Sequence, residues 1–253
     1  MMKMKNVVVF GATSAIAQEA LRMLVARGAS VYCVGRSEPK LSAVLADLRV
    51  RSVPDADQVI DGQAADLLEI PRHPSLFTAA QARLGEIDAV LIAHGTLPDQ
   101  AACEASVEQA LAAIATNATS AVSLLTIAAN YFEPRGRGVI AAVSSVAGDR
   151  GRQSNYVYGA SKSLVSTFLQ GLRNRLAARG VQVVTIKPGI VDTPMTSALP
   201  GRGLLWASPV VVGRTIVEAM EKGKDVVYVP WYWYWVMTAL RHVPEMLFKR
   251  LKL

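Results

Sequence analysis

The chain alternates short, almost uninterrupted apolar runs with longer segments in which apolar residues recur every three or four positions. Runs of strand length fall at 7–10, 31–34, 59–65, 87–93, 139–143, 181–186 and 225–229. Segments of helical period lie at 15–27, 40–48, 75–84, 107–132, 158–179 and 208–221. In the first of these Ile16, Ala20 and Leu24 share a face; in the segment at 158–179 Val165, Phe168, Leu169, Leu172 and Leu176 do. Gly28, Gly85 and Gly180 mark helix ends, and Ser208 before Pro209 reads as an N-cap and first turn. Strands that are apolar throughout have both faces covered. The alternation predicts one α/β domain, a doubly wound, seven-stranded parallel sheet joined by right-handed crossovers. That domain takes residues 1–230, with a substrate loop at 192–206, and residues 231–253 form an aromatic and basic extension.

Composition narrows the possibilities. With 253 residues, 51% hydrophobic and 19% charged, the chain is far too apolar for disorder. A net charge of +7 favours anionic ligands. Its basic residues are scattered, so no nucleic-acid partner is expected. Cys33 and Cys103 lie far apart in apolar surroundings, which predicts neither a disulfide nor a zinc knuckle, and a reducing, cytoplasmic location. His94 has no ligand spacing to His73 or His242, so no metal site is expected. Apolar stretches near either end fall short of the ~20 residues of a spanning helix. Lys3, Lys5, the run at 7–10 and Ala15-Ile16-Ala17 imitate a secretory signal. Gly11-Ala12-Thr13-Ser14 interrupts that core, and the pattern that follows needs a first strand, so the strand reading is preferred.

In such a sheet ligands sit at the carboxyl ends of the strands, where strand order reverses. The first strand there ends in Gly11, Thr13, Ser14 and Ile16, a turn into a helix whose N–H groups suit a pyrophosphate. The second ends in Gly35-Arg36-Ser37 where an NAD site would carry an acid. Arg36 suits a 2′-phosphate, which favours NADP(H) over NAD(H); the competing reading is a solvated loop arginine. Asp66 and Leu67 are placed for an adenine, and Ala93-His94-Gly95 for a close backbone approach. Tyr158 and Lys162 stand one helical turn apart. A cation about 4 Å from a phenol contributes roughly 4 kcal/mol at an effective dielectric of ~20, enough to bring its pKa of ~10 near neutrality. Tyr158 is therefore the expected proton shuttle, with Ser145 for a carbonyl oxygen and Asn117 for a water beside Lys162.

Gly11…Ala17, Asn117, Ser144-Ser145-Val146-Ala147-Gly148, Tyr158…Lys162 and Lys187-Pro188-Gly189…Thr193 together resemble the short-chain dehydrogenase/reductase family, from about residue 5 to 230. The resemblance implies a Rossmann domain and hydride exchange between a nicotinamide and a ketone or secondary alcohol. It implies catalytic Asn117, Ser145, Tyr158 and Lys162. It also implies that Tyr158, Lys162, Pro188, Gly189, Val191 and Thr193 flank the nicotinamide, and that the chain is a homodimer or homotetramer. Ala15 and Ala17 replace family glycines, and Ala93-His94-Gly95 replaces Asn-Ala-Gly.

Leu199, Leu204, Leu205 and Trp206 make the substrate loop apolar, favouring a lipophilic carbonyl substrate. Arg150 and Arg152 are placed either to bind an anion on it or to sit solvated. The tail, with Trp231 to Trp235 and Lys249-Arg250, either touches a membrane or packs on the protein. The loop, the tail, Gly11-Ala12-Thr13-Ser14-Ala15-Ile16-Ala17 and Ala93-His94-Gly95-Thr96 together are similar to bacterial reductases of polyprenyl-phosphate-linked 2-keto sugars, which implies work at the inner face of the cytoplasmic membrane. Alternatives are a 3-oxoacyl or steroid-like ketone, or a dinucleotide sensor without turnover.

Overall fold

A computed structural model describes residues 4–54, 56–197, 203 and 205–251. A seven-stranded parallel sheet forms the centre, in the order β3-β2-β1-β4-β5-β6-β9. Its strands are β1 (Asn6–Phe10), β2 (Ser30–Gly35), β3 (Ile60–Ala64), β4 (Ala89–Ile92), β5 (Gly138–Val143), β6 (Val181–Pro188) and β9 (Val226–Val229). A small two-stranded sheet pairs β7 (Ile190–Val191) with β8 (Trp206–Ala207). The order reverses between β1 and β4, so a crevice opens at the carboxyl ends of those strands.

Helices α1 (Ala15–Ala26), α2 (Glu38–Val50) and α8 (Pro209–Lys222) cover one sheet face. Helices α3 (His73–Leu84), α6 (Ser120–Phe132) and α7 (Tyr156–Ala177) cover the other. Val7, Val8, Val9 and Phe10 of β1 are fully buried, alternating between these two cores. Each such side chain contributes about 1.5–3 kcal/mol by leaving water. The Ser208 hydroxyl accepts from the Val211 N–H at 3.3 Å, with Pro209 in the first turn.

Two differences from the sequence pattern matter. The segment expected as one helix at 107–132 is continuous but irregularly wound. It comprises α5 (Val107–Ile114), a π turn at Ala115–Thr119 and α6, preceded by α4 (Gln100–Ala105). By length and composition Val107–Arg135 would suffice to cross a membrane. Here Leu124, Leu125, Ala128, Ala129 and Phe132 are instead buried against the sheet. The second difference lies in the tail, which folds as α9 (Trp233–His242) and α10 (Glu245–Phe248). Trp233 and Met237 are buried with Val146, whereas Trp231 and Trp235 are 72% and 63% exposed. Part of the tail therefore packs on the domain and part faces outward. Of the apolar loop residues, Leu199 and Leu204 lie outside the described residues; Trp206 is held in β8.

Candidate active site

Two adjoining cavities fill the crevice. The larger, about 350 Å³, is lined by Gly11, Thr13, Ser14, Ile16, Arg36, Asp66, Leu67, Ala93 and Gly95, all expected from the sequence to meet the nucleotide. The smaller, about 90 Å³, brings together Asn117, Ser145, Tyr158, Lys162, Pro188, Gly189, Val191 and Thr193. Ser14, Ile16, His94 and Met195 line both, so the two form one trough.

At the nucleotide end tight backbone turns shape the wall. Gly11 turns at φ +85°, and its N–H donates to Val34 O at 2.8 Å. A Cβ there would lie 2.4 Å from the His94 nitrogen, so only glycine lets β1 and the end of β4 approach so closely. The Ser14 side chain caps nothing, and the first-turn N–H groups of α1 stand beside the cavity with the helix's positive end. Arg36 is exposed on the cavity rim, and Lys40, in the first turn of α2, stands with it. Lys40 and Ser37 are lining residues that the sequence reading passed over. Their place at the head of the helix after the nucleotide strand is the signal for them. Asp66 accepts from the Leu68 N–H at 3.0 Å, which fixes its turn beneath the same cavity.

His94, considered only as part of a small-residue turn and as a rejected ligand, also lines the trough. Its Nε2 lies 2.7 Å from Ser120 Oγ, and that hydroxyl donates to Thr116 O at 3.0 Å. Ser120 must therefore accept from His94, which carries its proton on Nε2. Burial, helped by the charges of Lys162 and His73, holds its pKa down to about 3, so the ring is neutral.

At the reaction end buried side chains make the wall. Ser145 follows β5 and opens a short turn, Val146–Asp149, its hydroxyl accepting from the Ala147 N–H at 3.1 Å. Tyr158 lies in the first turn of α7 and lines the same cavity as Ser145. Lys162, one turn on, is 4% exposed and donates to Val143 O at 3.0 Å. The π turn carries Asn117, whose Oδ1 accepts from the Thr96 N–H at 2.9 Å and whose Nδ2 donates to Ala113 O at 3.0 Å. The amide thus ties the loop after β4 to the widened helix. A Cβ on Gly95 would lie 2.7 Å from Asn117 Oδ1 and 3.4 Å from Lys162 Nζ, so these groups crowd one point.

The electrostatics correct one expectation. The Lys162 ammonium sits 5.8 Å from the centre of the Tyr158 ring and is drawn to a carbonyl. Desolvation pushes the Tyr158 phenol above its ordinary value, and the nearby Ser145 hydroxyl only partly opposes this. Burial alone pulls Lys162 down to about 8. The phenol is therefore protonated at neutral pH and the lysine is still mostly cationic.

Arg150 does not face the cavity. Its Nη1 donates to Leu240 O, Arg241 O and Val243 O at 2.8, 3.0 and 2.6 Å; its Nη2 pairs with Glu245 at 2.9 Å. The guanidinium also lies 3.7 Å over the Phe248 ring. Arg150 is thus spent on the tail and is not an anion site. Arg152 is half-buried, and its Nε has no partner among the described residues. Opposite, the tail's Trp233 lies against Gly189: a Cβ there would fall 1.9 Å from the indole nitrogen. The chain end is therefore built into the floor beneath Pro188 and Gly189.

Comparison with known proteins agrees with this picture. The model of the short chain dehydrogenase family matches residues 5–201. An uncharacterized oxidoreductase of Mycobacterium tuberculosis is 33% identical over 245 residues, 97% of this chain and 96% of that protein. An actinorhodin polyketide ketoreductase solved with NADPH superposes with a TM-score of 0.79 at 24% identity, covering 92% of this chain and 98% of its own. A dehydrogenase from Burkholderia cenocepacia with bound NADP gives 0.78 at 20%, covering 89% and 92%. At these identities the two structures show the shared fold.

Proposed function

The chain belongs to the short-chain dehydrogenase family of oxidoreductases, and on that premise we propose that it uses NADP(H) to interconvert a ketone and a secondary alcohol. The observation that carries the proposal is the meeting of Ser145, Tyr158, Lys162 and Asn117 in one small cavity at the end of a dinucleotide-sized trough. The trough fits such a cofactor: helix N–H groups and two hydroxyls suit the pyrophosphate, and Arg36 with Lys40 suits a 2′-phosphate. Lys162, Pro188, Gly189, Val191 and Thr193 would hold the nicotinamide end. When bound, the cofactor supplies or accepts a hydride. The two NADP-bound neighbours support the choice of cofactor.

The protein's own part is proton delivery. Tyr158, half-buried and protonated at neutral pH, donates its proton to the carbonyl oxygen, which suits reduction. Ser145, which lines the same cavity, would donate to the same substrate oxygen. Lys162 adds positive charge near the developing phenolate, and Asn117 holds the backbone around it. Purified protein with NADPH and a panel of ketones tests the reading by loss of NADPH absorbance. Turnover that survives in Tyr158→Phe would overturn it.

The substrate proposed is lipophilic, in line with Val143, Ile16, Val191 and Met195 around the reaction end. A polyprenyl-linked keto sugar, handled at the cytoplasmic face of the membrane, is the form favoured. Outward-facing Trp231, Tyr234, Trp235, Met246, Leu247 and Leu251, beside Lys249 and Arg250, support contact with anionic lipid. Because Trp233 and Met237 pack inward, the test is Trp231→Ser with Trp235→Ser rather than truncation. Flotation with anionic vesicles equal to wild type would defeat the contact. For assembly, the groove of Ala160, Leu164, Phe168 and Leu172 on α7 with Thr126 on α6 is proposed to receive a second copy. A monomeric mass by light scattering would exclude that.

A further inference from the structure

Two charged side chains lie buried outside the machinery just described. Asp149 and Lys187 form an ion pair with side chains only 2% and 8% exposed. Tyr228 Oη donates to the second carboxylate oxygen of Asp149 at 2.8 Å, and the Lys187 ammonium lies 5.4 Å from the centre of the Tyr228 ring. Burying such a pair gains little stability by itself, while removing one partner strands a charge. Its position is what calls for an explanation. Asp149 closes the turn that begins at Ser145. Lys187 immediately precedes Pro188 and Gly189, which line the reaction cavity beyond the strand paired with β5. Tyr228 belongs to β9, whose Val229 carbonyl accepts from the Gly189 N–H at 2.9 Å. The carboxylate therefore touches all three segments that frame the reaction end, and none of its contacts faces the cavity.

We propose that Asp149 is a positioning residue: its carboxylate, shared by Lys187 and Tyr228, sets the separation between the Ser145 loop and the Pro188–Gly189 stretch. The inference rests on the oxidoreductase reading for its effect on rate, though its structural half stands apart. A substrate carbonyl and a nicotinamide must meet between these two walls, and a small change in their spacing misaligns hydride and proton transfer together.

The full chain carrying Asp149→Asn, Lys187→Met or both provides the test. In Asp149→Asn, hydrogen exchange at 144–150 and at 187–193 rises together by about tenfold, while 6–16 exchanges as in wild type. NADPH affinity stays within about threefold, and kcat for ketone reduction falls about tenfold with a smaller change in KM. The double variant strands no charge, so its thermal midpoint returns towards wild type while kcat stays low. Exchange that rises at one wall only, or throughout the chain, overturns the coupling. So does a kcat that recovers along with the midpoint, which would mark the pair as structural support alone. If wild type reduces no ketone, the proposed function fails, and the exchange data still decide whether Asp149 links the walls.

Discussion

The nucleotide end and the reaction end of the trough solve the problem of holding a ligand by different means. Around Gly11, Thr13 and Ala93 lies the larger space, about 350 Å³, with Arg36 and Lys40 on its rim. Around Ser145, Tyr158 and Lys162 lies a 90 Å³ space lined by polar side chains, with the Lys162 ammonium held on the Val143 carbonyl. On the proposed function the first end would recognise shape and phosphate charge, a task that several groups share. The second concentrates its chemistry in single atoms. Substitutions should therefore separate the two ends, one reporting in affinity and the other in rate.

Four variants put that division at risk. Tyr158→Phe should show the largest effect, a loss of about 10²–10⁴ in kcat with NADPH affinity unchanged within about twofold. A parallel loss of affinity, by NADPH fluorescence titration, would merge the two ends. Gly11→Ala should do the reverse, weakening NADPH binding by about a hundredfold through the clash with His94 and the strain of a positive φ.

Lys162 supplies the next effect, in stability. Its pKa falls from 10.5 to about 8 on burial in the fold. The folded chain thus holds fewer protons than the unfolded chain between those values, and stability from this group rises with pH across that window. The full penalty, about 3 kcal/mol, is present below pH 8 and is relieved by about pH 10.5. Urea titrations of wild type and Lys162→Met should differ in that slope; equal slopes would place the ammonium in water. The smallest effect belongs to the rim: Arg36→Ala with Lys40→Ala should raise the Kd for NADPH by about tenfold and that for NADH by less than about twofold. Equal changes for both cofactors would deny the pair its 2′-phosphate.

The fold and the residues lining the trough are legible in the sequence because each rests on a local pattern. Strands 7–10 and 139–143 are apolar on both faces, and the ligand end of a doubly wound sheet follows from topology. Tyr158 and Lys162 are linked by helical spacing alone. What stayed hidden depends on burial and on distant partners. The spacing of Tyr158 and Lys162 suggests a lowered phenol pKa, yet desolvation, which spacing does not carry, raises it. The π turn at Ala115–Thr119 leaves no mark because the alanine-rich pattern runs through it. Arg150 meets main-chain carbonyls some ninety residues away, which no side-chain pattern announces. The tail's aromatic run gave no phase until Trp233 docked against Gly189.

The widened turn at Ala115–Thr119 carries a consequence for anyone shortening or grafting this helix. An extra residue in one turn shifts everything beyond it by about 100° relative to an unbroken α-helix. That rotation lets Asn117 reach the loop after β4 while Leu124 and Ala128 still meet the sheet. Excising one residue to regularise the winding would swing either the amide or the leucine ridge off its target. The irregularity acts as a phase corrector, and engineered versions should keep its length even where its side chains change.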